Sequence, residues 1–248
     1  MAMNETFDWR RHDRAMYAIT AFAFLAIVFI GFARTYYLKL AVGGPPVPSL
    51  LVHVHGLVMT LWVGFFLSQV WLIRSKNQKT HMKMGMIGIA LAILIVVLGF
   101  FTGAAAAKNG SPSFPPDVPA LSFFIVPFFD MLVFAILFAA AIIRRNHPAD
   151  HKRLMLLTVL NFLPPAVARI PTGSTTNVAA TFGLPVVLGL PMALGIILFV
   201  YDTWRHHRIN KAFLFGLLLL IASEPIRIAV STTPAWLSFA SWVTSWAA

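Results

Sequence analysis

Three polar residues recur on one apolar segment at a spacing that suits ligand binding. His55, Trp62 and Gln69 are seven residues apart, so they would share one face of a helix. An imidazole, an indole N–H and a carboxamide together can hydrogen-bond to a polar ligand or hold a cofactor. His53 lies two residues before His55, and a helix turns these two side chains to different faces. All four are candidate ligand-binding residues.

Ionisable residues in other apolar segments extend the same candidate site. A charge at the bilayer centre costs at least about 3 kcal/mol, so such residues usually face the bundle interior and pair. Glu224 and Arg227 are three residues apart and would share a helix face, and Arg169 is expected to approach them at similar depth. The further members of this group are Asp130 and Asn161. Two interpretations stay open: a salt-bridge network that joins helices, or an outer-half pocket whose arginines bind a carboxylate, a lipid headgroup or a haem propionate.

A second set of candidate ligands is made of histidines in the basic connections. His147 and His151 are four residues apart, which places two imidazoles on one helix face, although Pro148 disfavours a helix through His147. Imidazole with nearby carboxylates suits iron, copper or zinc. The sequence therefore predicts a candidate transition-metal site, and its members are His81, His147, His151, His206 and His207.

The segments that carry these residues are apolar enough to cross a membrane. The 248-residue chain is 59% apolar and 11% charged, whereas charged residues make up about a quarter of a soluble domain. A spanning helix needs about 20 apolar residues. Seven segments qualify: residues 15–33, 50–73, 84–107, 121–143, 154–170, 181–201 and 212–230. The predicted fold is one all-α domain over residues 1–248, a polytopic bundle of about seven transmembrane helices.

The basic residues predict the orientation of this bundle. Of the 19 Lys and Arg residues, 14 lie in the N-terminal segment and in the second–third, fourth–fifth and sixth–seventh connections, and three lie on the other side. Because Lys and Arg concentrate in cytoplasmic loops, the N-terminus is expected inside and the C-terminus outside. The net charge of +11 therefore relates to the membrane, and nucleic acid is excluded as a partner. The expected location is the bacterial inner membrane, with membrane lipids as partners.

The C-terminal residues predict a short helix of their own. Thr233 followed by Pro234 is typical of an N-cap and a first helical position, and the helix is expected over about 234–246. Trp236 and Phe239 begin an aromatic stripe at helical spacing. Because Trp prefers the headgroup zone, we expect this helix to lie on the outer membrane surface.

Two resemblances accompany these patterns. His53, His55 and Gly56 form an H-x-H-G motif that opens the second span, and a basic loop bearing His81 opens the third. In this arrangement the chain resembles, over most of its length, a group of uncharacterised bacterial inner-membrane proteins. That resemblance implies a bacterial membrane setting and no particular activity. The histidines of the basic connections are also similar to the boxes of membrane di-iron desaturases and hydroxylases, although no H-x-x-H-H box occurs.

Three functions stay open on the sequence alone. The leading hypothesis is a membrane-embedded binding or redox protein with an outer-half pocket for haem, a quinone or a lipid-like molecule, built from the second, fifth and seventh helices. The second is a histidine-ligated metalloenzyme that acts on lipid at the cytoplasmic face. The third is a scaffold or accessory subunit of a membrane complex, whose polar residues only join helices.

Overall fold

The computed structural model describes residues 2–44, 49–111, 114–115 and 117–246, with side chains from residue 15 onward. The described part is helical, with one isolated bridge between Pro171 and Asn177. In chain order the helices are α1 (Ala2–Phe32), a π-helical turn (Ala33–Tyr37), α2 (Leu50–Arg74), α3 (Gln78–Asn109), α4 (Ala120–Phe123), α5 (Ile125–Ile143), α6 (Pro148–Asn161), α7 (Leu163–Arg169), α8 (Val178–His206), α9 (Lys211–Val230) and α10 (Pro234–Trp246).

Six segments of the described chain are long and apolar enough to cross a membrane. They are Ala15–Tyr37, Leu50–Arg74, Gln78–Asn109, Ala120–Ile143, Val178–His206 and Lys211–Val230. The predicted all-α fold is therefore confirmed for the described residues, and the six candidate spans agree with the predicted multi-pass membrane protein. The third of these helices begins at Gln78, six residues before the predicted span, because Asn77 caps it by accepting a hydrogen bond from the backbone N–H of Thr80.

The fifth predicted span, residues 154–170, differs from the expectation because it is two helices. α6 ends and α7 begins around Phe162, whose φ of −99° and ψ of 4° are not helical. Pro164 and Pro165 explain the break, since proline lacks an N–H and its ring clashes with the carbonyl four residues earlier. Neither helix is long enough to be counted among the six.

The α6–α7 pair nevertheless connects the two ends of the bundle. Near the start of α6, Arg153 is paired with Asp202 of α8. After α7, the carbonyl oxygen of Gly173 accepts a hydrogen bond from Arg34, in the π turn after α1. We call the end with the 75–77, 144–147 and 207–210 connections the basic end, and the end with the π turn and residues 170–177 the far end.

Close side-chain packing fixes α2 against α5 and α1 against α7. Trp62 of α2 is fully buried and packs edge-on against Phe134 and Phe138 of α5, with ring centroids 5.3 and 5.7 Å away. Gly31 of α1 lies against the backbone carbonyl of Ala166 in α7, where a Cβ atom would overlap the oxygen. α7 is therefore held tightly against α1 at the far end.

The predicted C-terminal helix is present as α10, and its first tryptophan is used inside the protein. Trp236 is 6% exposed, and its indole Nε1 donates a hydrogen bond of 2.9 Å to the carbonyl oxygen of Leu121. Its ring packs against Phe124 and Phe128. Trp236 thus anchors α10 to α4 and α5, and the position of α10 on a membrane surface stays a prediction.

Candidate functional site

Arg227 is the centre of a buried charge cluster that joins α5 and α9. Its Nη1 lies 2.7 Å from Asp130 Oδ1 and 3.5 Å from Glu224 Oε1. Its Nη2 donates a hydrogen bond of 3.3 Å to the hydroxyl of Ser223. The side chain of Arg227 is 4% exposed and that of Asp130 10%. The cluster contains two carboxylates for one guanidinium, so Arg227 is compensated by the protein itself.

Asn161, the last residue of α6, attaches the helix break to this cluster. Its Nδ2 donates a hydrogen bond of 2.9 Å to the backbone oxygen of Asp130. Asn161 Oδ1 and Arg227 Nε are buried, and neither has a hydrogen-bond partner among the described residues. Because buried polar atoms nearly always have a partner, these two atoms mark a place for ordered water or a ligand.

Arg169 does not approach Glu224 as the sequence suggested. Its Nη1 donates a hydrogen bond of 2.7 Å to the carbonyl oxygen of Pro165, and its guanidinium carbon lies 5.0 Å from the ring centroid of Phe32. In the part of the chain that the structure describes, Arg169 has no carboxylate within ion-pair distance. The physical reason is the break at Phe162, which lets α7 pack on α1 rather than continue beside α9.

A second buried ion pair, at the basic end, was missed by the sequence analysis. Arg153 Nε and Nη2 donate hydrogen bonds of 2.8 and 2.6 Å to the two carboxylate oxygens of Asp202. The side chains are 4% and 1% exposed. The available signal was the position of each residue, because Arg153 and Asp202 both lie within one helical turn of an apolar run.

The π turn carries two tyrosines onto the histidine motif of α2. Tyr36 donates a hydrogen bond of 3.2 Å to the carbonyl oxygen of His53, and its ring lies where a Cβ atom on Gly56 would be. The hydroxyl groups of Tyr37 and Thr60 are 3.0 Å apart. The glycine of the H-x-H-G motif is thus needed for tyrosine packing. π-helical turns frequently occur at functional sites, and this one was not predicted.

Most polar groups on the predicted polar face of α2 are buried and lack a hydrogen-bond partner among the described residues. His55 Nδ1, Trp62 Nε1 and both amide atoms of Gln69 are buried, and none has a hydrogen-bond partner within the described chain. Trp62 is 0% exposed and Gln69 9%. A membrane interior supplies no bulk water to such groups, so they need internal water or a ligand.

Two of the five candidate metal ligands meet at the basic end. The ring centroids of His81 and His151 are 6.3 Å apart. The Nδ1 atom of His151 is 2.8 Å from the carbonyl oxygen of Ala141, which leaves Nε2 of that ring available. His81 Nδ1 is buried and has no partner among the described residues.

The other three candidate metal ligands lie elsewhere. His147 precedes α6 with φ −116° and ψ 86°, as Pro148 suggested, and therefore is not on the helix face of His151. His206 Nδ1 lies 3.4 Å from Asp202 Oδ1, and His207 is exposed. Among the described residues, no group of three or more His, Cys, Asp or Glu side chains could hold a metal ion. The predicted five-histidine site is not supported.

The described residues therefore offer three separate features: Arg169 at the end of α7, which has no carboxylate beside it among these residues, the tyrosine–histidine contacts at the far end of α2, and the imidazole pair at the basic end. Comparison with known protein families, curated proteins and solved structures finds no match to this chain.

Proposed function

We propose that the protein is an integral membrane binding protein that holds an anionic, lipid-like ligand or cofactor at the far end of its helix bundle. This proposal depends on one difference between three arginines, namely whether a buried carboxylate contacts the guanidinium group. Arg153 and Arg227 each contact a buried carboxylate, whereas Arg169 contacts a carbonyl oxygen and an aromatic ring. A cation in an apolar bundle is costly unless an anion lies beside it. The ligand would supply that anion.

The surroundings of the far end support a ligand with both charged and apolar parts. Arg34 adds a second cation there, and it donates hydrogen bonds to the carbonyl oxygens of Gly173 and Ser174. His55 adds a buried ring nitrogen without a partner in the described chain. A fatty carboxylate, a phospholipid headgroup or a haem propionate satisfies this chemistry. A purely structural scaffold accounts for Arg227 but leaves Arg169 unexplained.

We also propose that α6 and α7 together form a seventh crossing, with the basic end in the cytoplasm of a bacterial inner membrane. This is supported by the contacts of the pair, because Arg153 is bonded at the basic end and Gly173 at the far end. It is also supported by the excess of Lys and Arg in the connections of the basic end. The ligand site would then face the periplasm.

Ligand analysis of matched variants tests the proposed site. The protein is purified as the wild type, as Arg169→Gln and as Lys108→Gln, which removes an exposed far-end cation outside the proposed site. Organic extracts are analysed by mass spectrometry. We expect the wild type and Lys108→Gln to contain equal amounts of bound anionic amphiphile, and Arg169→Gln to contain less by a near-stoichiometric amount. Melting of the ligand-free Arg169→Gln protein should be nearly unchanged. Equal retention by Arg169→Gln would contradict the proposal.

A second candidate function is coordination of a transition metal or haem iron by His81 and His151. The favouring observation is the 6.3 Å separation of the two rings together with the bond from His151 Nδ1 to the Ala141 carbonyl. Metal-bound histidines commonly donate their second ring N–H to a carbonyl in this way, which orients the ligating nitrogen. Two imidazoles on different helices would then bind one ion, with redox chemistry available to iron or copper.

Metal content and optical spectra test this second function. Replacing either His81 or His151 by alanine should abolish the bound metal or the haem absorption. His147→Ala is the control, since it removes a nearby exposed imidazole that lies outside the pair. A wild-type protein that remains colourless and metal-free after expression with added iron, copper, zinc and haem would rule out the pair as a ligand set.

A further inference from the structure

A cavity of about 680 Å³ opens at the basic end, between the α5–α6 and α8–α9 connections. Its lining includes the cations Arg144, Arg208 and Lys211 together with His147, and Asp150 is the one carboxylate among the described lining residues. Arg144 lies 3.5 Å from Asp150. Arg208 and Lys211 make no ion pair with the described part of the chain. Among the described residues, the cavity therefore has an excess of positive charge, because its one carboxylate is already paired with Arg144.

Hydrogen bonds hold the two sides of this cavity together. Asn210 Nδ2 donates to Asp150 Oδ1 at 2.7 Å, and the side-chain oxygen of Asn210 accepts a hydrogen bond of 2.8 Å from the backbone N–H of Phe213. The bond to Asp150 links the start of α9, where Lys211 lies, to the start of α6, and Arg144 and Arg208 lie in the short connections that lead into these two helices. Because the positive ends of both helix dipoles also lie here, the field in the cavity favours an anion.

One wall of the cavity is apolar and continues onto the outer surface of the bundle. Ile209 and Phe215 line it, and they are 57% and 67% exposed. Leu218 follows Phe215 by three residues on α9 and is 50% exposed, and Ile143 next to Arg144 is 77% exposed. A soluble anion does not need such a wall. A molecule with a charged head and acyl chains does.

We propose that this cavity binds the phosphate headgroup of an anionic phospholipid, whose acyl chains lie along the Phe215 and Leu218 surface of α9. Arg208 and Lys211 would contact the phosphate, and the apolar wall would select a lipid over a free anion. Basic pockets between transmembrane helices at a membrane surface are suited to anionic headgroups. This site is separate from the far-end ligand site and does not depend on it.

Lipid binding to paired double variants tests the proposal. The full-length protein is exchanged into neutral detergent, and retained or titrated phosphatidylglycerol is counted by native mass spectrometry. The test variant is Arg208→Gln with Lys211→Gln. The control is Lys79→Gln with Lys83→Gln, which removes the same charge from exposed positions near the start of α3, away from the cavity. Melting in detergent without lipid verifies that both variants fold.

The expected result is a loss of phosphatidylglycerol affinity in the Arg208/Lys211 variant of roughly 25-fold, since each basic group near a membrane contributes about fivefold. The Lys79/Lys83 variant should stay within about twofold of the wild type. Phosphatidylcholine should bind weakly to all three proteins. Equal affinity of the two variants would overturn the proposal. Competition by glycerol phosphate or pyrophosphate as strong as by the lipid would also overturn it, and would assign the cavity to a soluble anion.

Discussion

Arg153 and Asp202 face each other across α6 and α8 with two parallel hydrogen bonds, of 2.8 and 2.6 Å, although 49 residues separate them in the chain. Both side chains are almost fully buried. The pair fixes the start of α6 against the end of α8 at the basic end. Bidentate arginine–carboxylate pairs of this kind are geometrically specific as well as strong.

Removing one member of this pair should destabilise the protein strongly. We expect Asp202→Asn to lower the free energy of unfolding by about 3–5 kcal/mol, because the guanidinium of Arg153 would lose the buried carboxylate that accepts two of its hydrogen bonds. The measurement is equilibrium unfolding in detergent. The double variant Arg153→Met with Asp202→Leu should recover most of the loss, since it leaves no buried charge. A double variant as unstable as Asp202→Asn would contradict this account.

Replacing either of the two carboxylates beside Arg227 should lower the stability of the protein, but by different amounts. Asp130 lies at 2.7 Å and is more buried than Glu224, which lies at 3.5 Å with a side chain that is 16% exposed. We expect Asp130→Asn to cost about 3–5 kcal/mol of unfolding free energy, and Glu224→Gln less than half of that. The same unfolding measurement ranks the two variants. A larger loss for Glu224→Gln would mean that Glu224 is the main partner of Arg227.

Gly56 should not tolerate a methyl group. In Gly56→Ala the new Cβ would overlap the ring of Tyr36, and we expect a loss of about 1–3 kcal/mol from overpacking. Gly64→Ala on the same helix is the control, because no atom lies within 4 Å of its Cβ position. Gly64→Ala should be neutral or stabilising. Adding Tyr36→Ala to Gly56→Ala should relieve the overlap, and its failure to do so would place the strain elsewhere.

Reporter insertions should distinguish a seventh crossing from six. A reporter in the Ser75–Lys79 region should be active only in the cytoplasm. A reporter at Thr175, in the connection after α7, should be active only outside it if α6 and α7 cross the membrane. A reporter after Ala248 should also be active outside. A cytoplasmic signal at Thr175 would show that the α6–α7 pair enters the membrane without crossing it.

Local sequence was sufficient for the membrane class and for most helix bounds. A run such as Leu50–Arg74 is recognisable because its length and composition alone match the bilayer. The start of α10 at Pro234 follows equally from its own residues. Pro164 and Pro165 were a local signal for the break at Phe162. The break was not predicted because residues 154–170 form one continuous apolar run, which on composition alone indicates a single span.

The tertiary structure alone decided which charges meet. Arg227 is paired with Asp130, 97 residues away, and Arg169 is turned towards α1 instead of Glu224. Helical spacing placed these residues on faces but could not orient one helix against another. In a membrane, lipid-facing and protein-facing surfaces are both apolar, so the sequence carries little information on helix rotation. Packing of small and aromatic residues such as Gly31 and Trp62 sets that rotation, and it sets the pairing of the buried charges with it.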